Sequence, residues 1–232
     1  MPGRAAILAA LSLAMATPAA AKPQPSGPWK LPSQAAAGAG AQQIDGIAAR
    51  IEDDIITESE VRELGKFQLL VDGKAKPREE ILQELEDQWI IRGEAKTSKF
   101  AQPSNEDIDR AYAGFVKQYG SEEEFQKEMQ TAGLTENDVR RLLADQLYYA
   151  RFLDYRFRPA AQVDDRQVAA YYHDEFAPAL KAKGDPVPPL EAVQERIHEV
   201  LVQRAITERA EKWLDETRQQ LRIEIPAGSR SQ

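Results

Sequence analysis

Most catalytic and metal sites are built from histidine, cysteine and clustered carboxylates, and this sequence offers few of them. It has no cysteine, which excludes disulfides, thiolate zinc sites and a cysteine nucleophile. The two histidines, His173 and His198, lack the spacing of a helical metal motif, and we interpret both as surface or half-buried residues. The acidic runs 52–54 and 122–124 are explained by a turn and a helix start. The sequence therefore predicts no catalytic residue, no metal site and no cofactor.

Composition and charge narrow the class of protein. Of 232 residues, 42% are hydrophobic and 29% charged, which is typical of a globular chain. The net charge is −8, and an acidic surface repels phosphate backbones. We therefore expect no nucleic-acid partner.

The N-terminus has the pattern of an export signal. A basic residue, Arg4, precedes an apolar run over 5–16, followed by Pro18 and three alanines ending at Ala21. This predicts a signal peptide over 1–21, cleaved after Ala21, that directs secretion across the inner membrane. A retained anchor is the alternative, although the run is shorter than a bilayer requires. We expect no membrane span after cleavage, and we interpret residues 22–42, rich in Pro, Gly, Ala and Gln, as a flexible linker.

Residues 43–226 are expected to form a mainly α fold with short strands at both ends. The run IDGIAARI, EDD, IIT predicts two β segments around an acidic turn, and Arg222–Ile225 alternates as a strand before the tail 227–232. Helix starts are predicted from capping residues and Pro77, and a final long helix is predicted from Leu190 to about Leu221. The predicted caps are Thr57, Ser104, Ser121, Thr135 and Asp164.

Two helices have apolar residues on more than one side. The helix after Thr135 carries a second set, Tyr148, Phe152 and Tyr155, opposite its main apolar face. This requires either a second packing partner or an exposed aromatic stripe. The last helix changes its apolar face near residue 202, so its halves contact different neighbours unless a bend realigns them. If the terminal strands pair, that helix returns across the earlier ones.

Four stretches together resemble one protein family. The segment IDGIAARIEDDIITESEV resembles the opening of the N-terminal domain of SurA-type periplasmic chaperones, and three later stretches are similar to the same family. The resemblance covers Ile44 to Ile225. It implies an irregular multi-helix chaperone domain over 43–226 with a trigger-factor-like peptide-binding fold, in which 163–184 form a bridging helix and 189–226 a returning helix and strand. The later stretches are LLADQLYYARFLDYRF, VDDRQVAAYYHDEF and LEAVQERIHEVLVQRAITERAEKWLDETRQQLRIEI.

The chain departs from this family in one respect. Members commonly carry parvulin-type prolyl isomerase domains between the N-terminal domain and the returning helix, whereas here only residues 180–189 connect the two helices. A domain of about 100 residues does not fit there. We therefore expect no peptidylprolyl isomerase activity, even where similarity suggests that label.

The resemblance implies an ATP-independent periplasmic holdase that binds unfolded or outer-membrane-bound polypeptides. An apolar cradle between the fifth, sixth and last helices would hold the client. The alternative is a dedicated envelope assembly or scaffold partner of one protein, with the same aromatic surface as a fixed interface. Clients and oligomeric state stay open. The candidate client contacts, several of which must be core, are Tyr148, Phe152, Tyr155, Tyr171, Tyr172 and Trp213.

Overall fold

The two ends of the described chain meet in a small antiparallel sheet. The structure is a computed structural model that describes residues 45–226, so the predicted signal peptide with its cleavage at Ala21, the linker 22–42 and the tail 227–232 lie outside it. Strand β1 (Ile47–Ile51) pairs with β2 (Asp54–Thr57) through the acidic turn, and with β3 (Ile223–Glu224) on its other edge. Ile51 lies opposite Ile223, so the predicted pairing of the terminal strands is present.

Helices account for most of the described residues, so the mainly α fold class is confirmed. The predicted capping residues each accept a hydrogen bond from the backbone NH three residues further on, which explains where these helices begin. The long helices are α1 (Glu58–Asp72), α2 (Arg78–Thr97), α3 (Asn105–Val116), α4 (Glu122–Thr131), α5 (Glu136–Phe157) and α8 (Leu190–Arg218).

Helix α2 lies at the centre of the body. It packs against α1, α5, α8 and β1, and buried side chains occur on nearly all of its sides. A helix with neighbours on so many sides has no solvent face over most of its length. Glu84, Glu86, Asp87 and Gln88 are buried together with its apolar residues.

The last helix α8 is continuous, and its two halves contact different neighbours. Ala210 and Leu214 are buried where α8 packs on α2 and α5, and Val202 and Ile206 are buried with Ala161 just beyond the end of α5. Its first half packs on α6 (Asp165–Tyr171). No bend is needed to accommodate the change of face. The helix ends at Arg218, three residues before the predicted end, and a turn then leads into β3.

A helical arm extends between α5 and the first half of α8. After a 3₁₀ turn at Arg158–Ala160, the arm consists of α6, a π-helical turn (Tyr172–Phe176), α7 (Ala177–Lys183) and the start of α8. Val168 and Ala177 are both buried. At about 3.6 residues per turn their spacing would place them on opposite sides of an uninterrupted α-helix. The π turn contains one extra residue and brings Ala177 round towards the side of Val168, a feature that the single predicted helix lacked.

Candidate functional site

The six candidate client contacts do not form one continuous surface. Tyr148 and Phe152 belong to the core cluster between α2, α5 and α8, with exposed fractions of only 4% and 1%. Phe100, from the loop after α2, covers them, with ring centroids 5.8 Å from Tyr148 and 5.5 Å from Phe152. These two residues are therefore among the candidates that are core, and their rings are not accessible to a client.

Tyr155 differs from the other two aromatic residues on its side of α5. It is 63% exposed, and its ring lies against Phe100 with a centroid separation of 5.3 Å. Phe100 is itself only partly buried. In the predicted aromatic stripe, Phe100 therefore covers Tyr148 and Phe152, while Tyr155 stays accessible.

Trp213 is half-buried between α5 and α8. Its ring packs against Phe157 at 5.7 Å, and the guanidinium of Arg156 lies 4.8 Å from the ring centroid. Arg156 also donates a hydrogen bond to Glu94 at 3.1 Å. A cation above the ring and an aromatic neighbour beside it hold Trp213 in one orientation, so its role in this structure is to join α8 to α5.

Tyr171 and Tyr172 lie in the helical arm and are half-buried. The guanidinium of Arg204 lies 5.1 Å from the ring centroid of Tyr171. The hydroxyl of Tyr172 donates to the carbonyl of Pro188 at 2.7 Å, and its ring stacks on Phe176 at 6.0 Å. These rings contribute a partly accessible aromatic surface outside the core clusters of the body.

Two arginine–glutamate pairs fasten the arm to the body. Arg158 donates to both carboxylate oxygens of Glu199, at 3.0 and 2.7 Å, and also contacts Asp154. Arg204 makes the same bidentate arrangement with Glu175 of the π turn, at 3.0 and 3.0 Å. Hydrogen bonds from Arg158 lower the pKa of Glu199 to about 2, so this carboxylate stays charged at neutral pH.

The buried ionic groups of α2 were not predicted from the sequence. The guanidinium of Arg218 reaches Glu86 at 3.4 Å and also pairs with Asp87, which ties the end of α8 to α2. Burial raises the pKa of Glu86, and the charge of Arg218 opposes that rise. Arg218 lies 131 residues from Asp87 along the chain, so this pairing could not be predicted from the sequence.

A second buried group lies where α1 turns into α2. The side-chain amide of Gln68 donates to Glu84, and Lys76 lies 3.6 Å from the same carboxylate. Burial raises the pKa of Glu84, while Lys76 and Gln68 act in the opposite direction. These groups join α1 to α2.

Neither a metal cluster nor a membrane-spanning helix occurs in the part of the chain that the structure describes. Over residues 45–226, no three histidine, aspartate or glutamate side chains converge as a metal site would require. None of the helices in that range has both the length and the apolarity needed to cross a bilayer. His173 is exposed in the π turn beside Tyr172, and His198 is half-buried on α8.

Comparison with known proteins does not assign the chain to a family. No protein-family model matches the chain, and no curated protein matches it. The assignment of function therefore depends on the residues and geometry described above.

Proposed function

We propose that the protein is an ATP-independent holdase of the cell envelope that binds unfolded or outer-membrane-bound polypeptides. The observation that carries this proposal is the helical arm. Its half-exposed residues, which lie outside the core clusters, are Tyr171, Tyr172, Phe176, Leu180, Leu190, Val193 and Leu201.

Accessible apolar surface on a folded domain supports a binding role. An arm made of two packed helices cannot bury both of its sides, so apolar side chains stay within reach of a partner. Val200, on the same part of α8, is 41% exposed. The partly exposed side chains are mostly aromatic or aliphatic, and they suit apolar segments of many sequences because such contacts have little directionality.

The negative charge of the chain supports the same role. A protein that exposes apolar surface risks self-association, and a net charge of −8 opposes contact between copies. The cradle that we propose has its apolar floor on the arm and on the adjoining turns of α5 and α8. The returning helix α8, which joins the arm to the body, would keep this surface open without a nucleotide-driven step.

The test is suppression of aggregation by the chain beginning at Lys22. Several unrelated unfolded proteins, including an outer-membrane β-barrel, are diluted from denaturant with and without the protein, and light scattering is followed in the absence of nucleotide. We expect protection of most clients at near-stoichiometric amounts. Replacement of Tyr172 and Phe176 by serine should weaken protection. The control is replacement by serine of Leu69, an exposed residue of α1, which should leave protection unchanged.

Three outcomes would contradict the proposal or part of it. Protection of none of the clients would rule out holdase activity. Protection of a single client would favour the dedicated assembly partner. Equal protection by the Tyr172/Phe176 variant and the wild-type protein would show that the arm is not the binding surface.

We propose in addition that the protein acts in the periplasm after export. The support is the pattern of residues 1–21, since a basic start, an apolar run and small residues before Lys22 are typical of cleaved export signals. Mass spectrometry of the protein from fractionated cells tests this. A mature chain that begins at Lys22 in the periplasmic fraction is expected, and an uncleaved chain in the cytoplasm would contradict it.

A further inference from the structure

The surface at Tyr155 combines exposed aromatic rings with lysines, and we call Tyr155, Phe100, Lys96 and Lys99 the Tyr155 patch. Tyr155 is 63% exposed and rests on the half-buried ring of Phe100. Beneath them lie the buried rings of Tyr148 and Phe152, at 5.8 and 5.5 Å from Phe100. The accessible rings therefore have a rigid base and lose little freedom on contact with a partner.

The patch is basic in an acidic protein. The two segments that meet there, 92–101 and 151–158, carry six basic and two acidic residues, a net charge of +4. Since the whole chain carries −8, the rest of it carries −12. The four arginines of these segments are paired, Arg92 with Asp145, Arg151 with Asp107, Arg156 with Glu94, and Arg158 with Asp154 and Glu199, so the positive charge that the patch offers a partner is that of its two lysines. Lys96 and Lys99 are exposed, and across residues 45–226 neither forms an ion pair.

The turn that carries Lys99 and Phe100 has an unusual residue at its left-handed position. The NH of Phe100 donates to Ala95 O at 2.9 Å and the NH of Lys99 to Lys96 O at 3.1 Å, which closes the end of α2 as a Schellman motif. Lys99 has a φ of 52°, in the region that favours glycine. Helices α1, α4 and α7 have Gly73, Gly133 and Gly184 at the corresponding left-handed positions.

A lysine at this position has a conformational cost that glycine would avoid. Local strain of this kind is common where a side chain serves a purpose other than stability. At Lys99 the side chain contributes a positive charge next to Phe100, and the turn holds both residues in a fixed position beside Tyr155.

We propose that the Tyr155 patch binds unfolded polypeptide segments in which an aromatic or aliphatic residue is flanked by acidic residues. The apolar residue covers Tyr155 and Phe100, and the acidic residues face Lys96 and Lys99. The rest of the chain is acidic and repels acidic segments, so these segments bind at the patch, whereas basic segments gain only the apolar contact there. This inference rests on the proposed function and adds a charge preference among clients.

The test measures binding of short labelled peptides to the chain by fluorescence anisotropy. The peptides share one central phenylalanine and differ only in flanking residues, which are glutamate, serine or lysine. We expect the glutamate peptide to bind about tenfold more tightly than the lysine peptide, a difference of about 1.4 kcal/mol. The preference should weaken when the salt concentration rises well above about 0.1 M, where charges are screened within about 10 Å.

Charge-reversal variants assign the preference to the patch. Lys96→Glu combined with Lys99→Glu should abolish or invert the preference. The matched control, Lys117→Glu with Lys127→Glu at the end of α3 and on α4, makes the same change in net charge at two exposed lysines outside the arm and should leave the preference unchanged. Tyr155→Ala should weaken binding of all three peptides, because it removes the apolar contact they share.

Lys99→Gly separates binding from folding. Glycine relieves the left-handed backbone, so the midpoint of urea unfolding should rise while the affinity for the glutamate peptide falls by about threefold. Equal affinity of all three peptides, or equal behaviour of the patch variant and the Lys117/Lys127 control, would overturn the inference. The aggregation assay decides the holdase proposal separately. If the peptides bind equally but unfolded proteins are still protected, only the charge preference is overturned, whereas absence of protection overturns the holdase proposal as well.

Discussion

Replacing Arg218 with methionine tests whether the buried ionic group of α2 holds the returning helix in place. The guanidinium lies 3.4 Å from Glu86 and contacts Asp87, and the side chains of Arg218 and Glu86 are 18% and 8% exposed. Methionine has a similar length but no charge, so a buried carboxylate loses its cation. Removal of one partner from a buried pair costs about 3–5 kcal/mol. A domain of this size is stable by about 5–15 kcal/mol, so the loss would be a large share of the total.

The assay is equilibrium urea unfolding followed by circular dichroism at pH 7. The control is Lys212→Met on the same helix, because Lys212 pairs with Glu216 at 3.8 Å with side chains 78% and 60% exposed. An exposed pair of this kind contributes about 1 kcal/mol at most. Adding Glu86→Gln to Arg218→Met should restore part of the lost free energy, because the buried charge that Arg218 compensated is removed.

The effect of Arg218→Met should depend on pH in a defined direction. Burial raises the pKa of Glu86, and the loss of Arg218 raises it further because the opposing charge is gone. A carboxyl group with a higher pKa in the folded state binds its proton more tightly there, so folding is favoured as the pH falls through that pKa. The difference in stability between variant and wild type should therefore narrow between pH 7 and about 4.5. Equal losses for the Arg218 and Lys212 variants would refute this account.

Three further predictions concern α5 and the arm. Phe152→Ala should lower the free energy of unfolding by about 3–5 kcal/mol because the ring is fully buried, whereas Tyr155→Ala should cost about 1 kcal/mol or less; similar losses in urea unfolding would contradict this contrast. Arg158→Gln should return the pKa of Glu199 from about 2 towards 4.5, as followed by NMR titration. In the wild type this exposed pair contributes less than about 1 kcal/mol above pH 4.5, which is lost as the pH falls through about 2. Deletion of Asp174 should convert the π turn into regular α-helix without loss of thermal stability, and a melting temperature lowered by several degrees would show that the turn is needed for packing.

The ends of most elements were predictable because their causes are local. Thr57 with Glu60 and Thr135 with Asp138 form reciprocal capping bonds within one turn, which a short stretch of sequence contains completely. The hairpin of β1 and β2 is equally local, since the acidic turn separates two apolar runs by two residues. For these elements the residues that make the stabilising contacts are neighbours in the chain.

Other features depended on residues that meet only after folding. The position of Tyr148, Phe152 and Tyr155 on one side of α5 follows from helical periodicity, but Phe100 decides which of them is covered. The π turn in the arm and the left-handed Lys99 were also missed. The residue types at these two places are common in regular helices, so the local sequence does not mark either feature.

The sequence by itself determined the mainly α class, the helix starts and the directions of the apolar faces, because hydrogen bonds and side-chain periodicity within a segment are local properties. Only the tertiary structure decided that α2 is surrounded, that Arg218 reaches its acids, and that Tyr155 stays accessible on a basic surface. Burial and charge pairing depend on which distant segments pack together. A helical wheel gives the direction of a side chain, whereas its neighbour is set by the whole fold.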